Sequence, residues 1–101
     1  MIALKDILYK VTLNAVVGST SINVYAVNFD SRKIEKDHLF VAIRGLVADG
    51  HDYIETAIKK GATSVVCESL PKKLDDNVTY VEVDNSNKAL AIIASNFYEN
   101  P

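Results

Sequence analysis

Two polar segments hold the side chains of this sequence with the most potential for chemistry. The first is Asp30-Ser31-Arg32, and the second runs from Gly45 to His51. A serine hydroxyl donates and accepts hydrogen bonds, and an arginine guanidinium can fork onto a phosphate or brace a carboxylate. The two glycines of the second segment, Gly45 and Gly50, permit close approach of the backbone to a ligand. Together the segments predict a surface for an anionic ligand rich in hydrogen-bonding groups.

Each segment also has a plainer interpretation. The first could be a polar turn in which Asp30 caps local amides and Arg32 pairs with Asp30 or Asp37, and the residues alone leave both alternatives open. For the second, the spacing of the glycines favours an ordinary turn over a ligand loop. His51 lies just before a predicted helix, so it is interpreted as a capping or packing residue.

The remaining residues predict no metal or catalytic site. His38 is the only other histidine and Cys67 the only cysteine, so the set of metal ligands is too small. Cys67 lies in a predicted strand and is interpreted as a small buried hydrophobe. The GxGxxG and GxxxxGK[ST] loops are both absent, so no ATP site is visible. The pattern indicates a recognition module without its own catalytic residues.

Composition indicates one ordinary globular domain. The 101 residues are 49% hydrophobic and 24% charged, and 11 basic side chains against 13 acidic ones give a net charge of −2. This balance gives no reason to expect nucleic acid or a membrane as a partner. The N-terminal ten residues lack the apolar run of a signal peptide, so the expected location is the cytoplasm.

An apolar strand must position the two polar segments. Residues 39–43, LFVAI, form a continuous apolar run, which is typical of a central strand covered on both faces. Further strands are predicted at 12–17, 22–29, 62–67 and 78–83, and helices at 3–10, 52–60 and 86–98. This order predicts an α/β domain in three layers, with a mixed, largely parallel sheet of about five strands flanked by helices.

Most of the chain resembles one known family. The residues that carry the likeness are DSRKIEKDHLFVAIRGLVADGHDYIETAIKKGATSVVCE and the closing ALAIIASNFYENP. They resemble the N-terminal domain of the Mur ligases, specifically the MurE type. The chain departs from the family pattern at His38, where glycine is common, and at Asn28, where threonine is frequent. Leu46 and Val47 are apolar where some members have polar side chains.

The resemblance implies a function for the whole chain. Residues 1–101 would be the domain that binds the uridine diphosphate (UDP) end of UDP-N-acetylmuramoyl-L-alanyl-D-glutamate. The central ATP-binding and C-terminal domains would be absent from this chain. The complete enzyme uses ATP and Mg²⁺ to add meso-diaminopimelate or lysine in cytoplasmic peptidoglycan synthesis. The isolated domain is therefore expected to bind no cofactor and to be catalytically inactive.

The resemblance also assigns roles to residues. No catalytic and no metal-binding residue is expected in this domain. The residues expected to contact UDP are Phe29, Ser31, Leu46, Val47 and Ala48. The residues expected to shape the two loops, or to add contacts, are Asp30, Arg32, Gly45, Asp49, Gly50 and His51.

Three alternatives stay open. One is a MurF-type ligase domain, from an enzyme that adds D-alanyl-D-alanine, although the strand end VVCE and the closing helix favour MurE. Another is a free-standing nucleotide-sugar-binding module. The last is an interaction domain that binds no small ligand.

Overall fold

The computed structural model describes residues 1–98. The strands are β1 (Ile2–Ala3), β2 (Ala15–Val17), β3 (Asn23–Val24), β4 (Ala26–Asn28), β5 (His38–Val41), β6 (Ser64–Cys67) and β7 (Thr79–Glu82). The α-helices are α1 (Leu4–Ile7), α2 (Ile54–Lys60) and α3 (Ser86–Tyr98). Two short 3₁₀ turns span Ser31–Lys33 and Gly50–Tyr53.

Five of the strands form the main sheet, in the order β2-β7-β6-β5-β4. β4, β5, β6 and β7 run parallel to one another, and β2 pairs antiparallel with β7 at the other edge. β1 and β3 form a separate antiparallel pair. The predicted α/β class, with a mixed and largely parallel sheet, is confirmed.

Both faces of the main sheet are covered, which explains why its strands read as continuous apolar runs. In β5, Leu39 and Val41 contribute to one core cluster, and Phe40 contributes to the other. The first cluster packs under α1 and α3, and the second packs under α2. The predicted three layers are therefore present, with the sheet in the middle.

The N-terminal third differs most from the sequence prediction. The strand predicted at 22–29 is divided between the two sheets at Tyr25, whose N–H donates to the Asp37 carbonyl oxygen at 2.9 Å. The helix predicted at 3–10 is limited to α1. The N–H of Leu4 donates to the Ile22 carbonyl oxygen, so tertiary pairing of the backbone overrides local helical periodicity there.

The C-terminal half follows the prediction more closely. α3 matches the helix predicted at 86–98, and the helix predicted at 52–60 begins as a 3₁₀ turn before α2. α2 ends at Gly61, which has φ +123° and lies so close to Lys36 that an added Cβ would be 2.7 Å from the Lys36 Cα. The last three residues of the family-like segment lie outside the described residues.

Candidate functional site

The topology brings the two polar segments to the same edge of the main sheet. The first segment follows β4 after Phe29, and the second follows β5 after Ala42, Ile43 and Arg44. β4 and β5 are adjacent and parallel, with Asn28 opposite Phe40. Ligands of α/β proteins bind at the carboxyl ends of parallel strands, and both segments lie there.

Local contacts hold the first segment. Asp30 caps the Ser31–Lys33 turn by accepting the Arg32 N–H at 3.0 Å, and the Arg32 guanidinium forks back onto both carboxylate oxygens at 2.9 and 3.0 Å. The side-chain hydrogen bonds from Arg32 are the main reason that the pKa of Asp30 is lowered to about 2. Arg32 therefore braces Asp30 rather than Asp37, in agreement with the plainer interpretation of its role.

Phe29 and Ser31 differ in how much of each is exposed to solvent at this turn. Phe29 is 60% exposed, whereas Ser31 is buried. Within residues 1–98, the Ser31 hydroxyl makes no side-chain hydrogen bond; the fully buried hydroxyls without a partner are those of Thr63, Ser64 and Ser86. An exposed ring next to an unpaired hydroxyl is suited to stacking on a flat group and to hydrogen bonding with it.

The second segment is a small hairpin-like turn with an exposed apolar tip. The Gly45 N–H donates to the Ala48 carbonyl oxygen at 2.9 Å, and the Gly50 N–H donates to the Ile43 carbonyl oxygen at 2.7 Å. Leu46 and Val47, at the tip, are fully exposed. Gly50 is required for close backbone approach, because an added Cβ would lie 2.6 Å from the Ile43 nitrogen.

Asp49 and His51 form the base of this turn. Asp49 Oδ1 accepts the His51 backbone N–H at 2.9 Å and lies 2.7 Å from His51 Nδ1. His51 Nε2 accepts the Glu68 N–H at 2.9 Å, so the proton of the neutral ring is on Nδ1. The hydrogen bond from the His51 backbone is the main cause of the lowered pKa of Asp49. His51 thus links the turn to the residue after β6 by hydrogen bonds, whereas the cap of the Gly50–Tyr53 turn is Asp49.

Three residues at this base were missed by the sequence analysis. Arg44 donates to the Ser69 hydroxyl at 3.1 Å, and its Nε lies 3.7 Å from Glu68 Oε1. Glu68 and Ser69 follow β6, the neighbour of β5. Only the strand order, which could not be read from the sequence, reveals that they meet the second segment.

A cavity of about 680 Å³ lies beside the predicted site rather than in it. Its walls are α2 and residues 69–75, and Tyr80 contributes to its lining. Of the residues expected to bind UDP or shape the loops, only His51 lines it, and Arg44 lines it as well. The residues expected to contact UDP instead surround an open surface.

The second segment offers neither clustered metal ligands nor free glycine amides. Within residues 1–98, no group of three or more acidic, histidine or cysteine side chains is placed to hold an ion. The amides of Gly45 and Gly50, which could otherwise face phosphate oxygens, are already bonded to carbonyl groups of the chain.

No helix within residues 1–98 has the length and hydropathy required to cross a membrane.

Comparison with known proteins decides the family. The sequence profile described as "Mur ligase family, catalytic domain" matches residues 23–98. The chain belongs to the Mur ligase family. A relative from Cytophaga hutchinsonii is 50% identical over 99 residues, and one from Phocaeicola vulgatus is 44% identical over 98 residues. Both are named UDP-N-acetylmuramoyl-L-alanyl-D-glutamate–2,6-diaminopimelate ligase, and each match covers 97% of this chain.

Solved structures of Mur ligases share the fold. MurF from Acinetobacter baumannii superposes with a TM-score of 0.76 over 94% of this chain, at 15% identity, which shows similarity of fold alone. MurF from Thermotoga maritima, solved with ADP, gives 0.61 over 70% of the chain at 28% identity. The chain spans about a fifth of the length of these relatives, 20% for the two ligases and 20% and 16% for the two structures.

Proposed function

We propose that this Mur ligase chain holds the UDP end of UDP-N-acetylmuramoyl-L-alanyl-D-glutamate within an enzyme that adds 2,6-diaminopimelate to it. The observation that carries the proposal is the meeting of the two family-like segments at one sheet edge. They follow adjacent parallel strands, and so a single ligand can reach both.

The identities to relatives favour a diaminopimelate ligase over a MurF-type ligase. The relatives at 42–50% identity are named 2,6-diaminopimelate ligases, whereas the similar MurF structures are 15–28% identical. The names of these relatives also favour diaminopimelate over lysine as the amino acid added.

In this proposal the two segments divide the recognition of uridine. Phe29 and the tip residues Leu46 and Val47 pack against the uracil ring, because all three expose apolar surface beside the sheet edge. Ser31 offers its unpaired hydroxyl to the ligand, and Ala48 contributes backbone groups. Asp30, Arg32, Gly45, Asp49, Gly50 and His51 shape the two loops.

ATP and Mg²⁺ are proposed to bind in other parts of the enzyme, since the family resemblance places the ATP site in the central domain. This chain alone would bind its nucleotide without turnover. The ligase that contains it is expected in the cytoplasm and in peptidoglycan synthesis. Reading the coding sequence after Pro101 tests this: a GTNGKT-like loop supports a ligase, and its absence supports a free-standing nucleotide-sugar-binding module.

Titration with UDP tests the binding site directly. In ¹⁵N-edited NMR spectra of the 101-residue chain, UDP should shift the amide signals of residues 29–32 and 45–48. Binding should be weak, because an open surface leaves half of the ligand in water. ADP serves as the control nucleotide and should leave these signals in place. Absence of shifts at millimolar UDP, or shifts confined to other residues, would contradict the proposal.

A pair of serine variants tests the role of Ser31. Ser31→Ala removes a buried hydroxyl and should weaken UDP binding by roughly three- to tenfold, the effect of about one hydrogen bond. Ser21→Ala removes an exposed hydroxyl before β3 and should leave the affinity unchanged. Equal affinities of the two variants would exclude the Ser31 hydroxyl as a ligand contact.

A further inference from the structure

Glu68 occupies a position between the second segment and α3. It directly follows β6, and its side chain is 19% exposed. Its backbone N–H donates to His51 Nε2 at 2.9 Å. Glu68 thus lies within contact distance of residues on both sides of the turn at Leu46 and Val47.

The carboxylate of Glu68 joins two elements that are distant in the chain. Oε2 accepts the N–H of Ser86, the first residue of α3, at 2.8 Å. Oε1 lies 3.7 Å from Nε of Arg44, the residue before the second segment, and the same Nε lies 3.8 Å from Asp49 Oδ2. A negative charge at the N-terminus of a helix is favoured by the helix dipole, so this carboxylate is stabilised where it is.

Residues on both sides of the turn therefore contact Glu68. Arg44, before the turn, lies near the Glu68 carboxylate, and Nε2 of His51, after it, accepts the Glu68 backbone N–H. Between them, Leu46 and Val47 are fully exposed and have no packing that could hold the tip in place. The position of the turn therefore depends on contacts at its base.

α3 also reaches the strand that leads into the first segment. The Tyr98 hydroxyl lies 3.3 Å from both the nitrogen and the carbonyl oxygen of Val27, in β4. Between Ser86 and Tyr98, α3 spans 13 residues, or about 20 Å at the rise of an α-helix. One helix thus contacts β4 at its C-terminal end and, through Glu68, the second segment at its N-terminal end.

We infer that Glu68 is a positioning residue: it ties the base of the second segment to α3 and thereby sets the distance between the two halves of the UDP site. The inference rests on the proposed function, because it gives a role to the same two segments. Glu68 contacts the ligand only through Arg44, His51 and the turn between them.

Hydrogen exchange and UDP binding together test this inference. In Glu68→Ala, the amides of Gly45 and Gly50, which close the turn, should exchange with solvent about tenfold faster, and UDP should bind about tenfold more weakly. Glu68→Gln keeps an oxygen for the Ser86 N–H but removes the charge that faces Arg44. It should restore part of the affinity, and it covers the case in which the alanine variant fails to fold.

Two further variants separate positioning from general loss of charge or stability. Glu55→Ala removes an exposed carboxylate from α2, 83% exposed and paired with Lys59, and should change neither measurement. Ser86→Pro removes the N–H that donates to Glu68, and with it the buried Ser86 hydroxyl, which has no hydrogen-bond partner within residues 1–98. Proline is tolerated at the first helical position, and Asn85 still caps the helix by accepting the Lys88 N–H at 3.0 Å. This variant should weaken UDP binding about threefold.

The outcomes distinguish the inference from the proposed function. Unchanged exchange at Gly45 and Gly50 in Glu68→Ala would overturn the inference, and so would faster exchange with unchanged UDP affinity. If the unmodified chain shows no UDP shifts, the proposed function fails first, and positioning for UDP fails with it. In the ligase containing this chain, the Glu68 variants should raise KM for the UDP-linked substrate and leave kcat unchanged. A fall in kcat at constant KM would also overturn the inference.

Discussion

The two polar segments at the sheet edge are stabilised in different ways. The first is held mainly by its own residues, since Asp30 and Arg32 are two positions apart and make three hydrogen bonds with each other; Lys60 adds one long-range bond to the Arg32 carbonyl oxygen. The second combines local bonds with contacts far along the chain: Arg44 contacts Ser69, and His51 contacts Glu68. Changes in the first segment should therefore have mainly local effects, whereas the second segment also depends on the residues after β6.

The largest effect expected from this difference is at Gly50. Gly50→Ala would place a Cβ 2.6 Å from the Ile43 nitrogen and 3.0 Å from its carbonyl oxygen, and neither backbone atom can move freely. The free energy of unfolding should fall by about 2–3 kcal/mol, as for an overpacked core position. Urea denaturation measures this change.

Gly45→Ala is the matched control for Gly50. Its Cβ would meet only the Ala48 carbonyl oxygen, at 2.8 Å, within the exposed turn. Because that carbonyl can shift, the loss should be about 1 kcal/mol or less. Equal losses at the two glycines would show that the turn is as constrained as the sheet edge beneath it.

The two histidines provide the next comparison. His51→Ala leaves the Glu68 N–H without its acceptor in a partly buried position, and should cost about 1–3 kcal/mol. His38→Ala loses a local bond, in which Nδ1 accepts the exposed Glu35 N–H at 3.2 Å, and should cost roughly 0.5 kcal/mol. Thermal or urea unfolding ranks the two variants. A larger loss at His38 would reverse the distinction between long-range and local contacts.

A smaller effect is expected from acid at the first segment. The folded-state pKa of Asp30 is about 2, against an ordinary value of 3.8, so its ion pair favours the folded chain above pH 4. That contribution is lost as the pH falls from about 4 through about 2. NMR titration of the Asp30 carboxyl carbon should give a pKa near 2. In Arg32→Ala the pKa should rise toward 3.8, and an unchanged value would contradict the role of Arg32.

The smallest effect concerns Cys67, which lies next to Glu68. Burial is the main cause that raises the pKa of its thiol to about 11, so the thiolate is scarce at pH 8. An aromatic disulfide reagent should label Cys67 only in urea, because β6 lies inside the sheet. Rapid labelling of the native chain would show that the strand anchoring the second segment opens readily.

The contacts within the first segment could be predicted because they join residues close in sequence. The contacts of the second segment could not, because they depend on which strands are neighbours in the sheet. The apolar run 39–43 predicted a strand covered on both faces, and the structure confirms this with β5. The sequence offered two partners for Arg32, Asp30 and Asp37, because both lie close to it in the chain. The contacts of Arg44 and His51 with residues after β6 depend on β5 and β6 being neighbours, and hydropathy patterns do not contain strand order.

The division of residues 22–29 between two sheets could not be predicted either, because it also depends on strand pairing. Val24, Tyr25 and Val27 all have high β-propensity, so the run appears as one strand. Only the backbone bond from Tyr25 to Asp37, and the pairing of β3 with β1, separate it into two sheets. The contact of Phe29 and Ser31 with UDP stays a prediction, because no ligand geometry follows from the fold.

The hydroxyl of Tyr98 has a second consequence, for how the chain behaves among other copies of itself. β4 is an outer strand of the main sheet, and its outward backbone groups at Val27 could pair with a strand of another molecule. The phenol meets both the N–H and the carbonyl oxygen of Val27, so this part of the edge is already satisfied. The same helix that contacts β4 thus covers backbone groups of Val27 that a strand of another molecule would need for pairing.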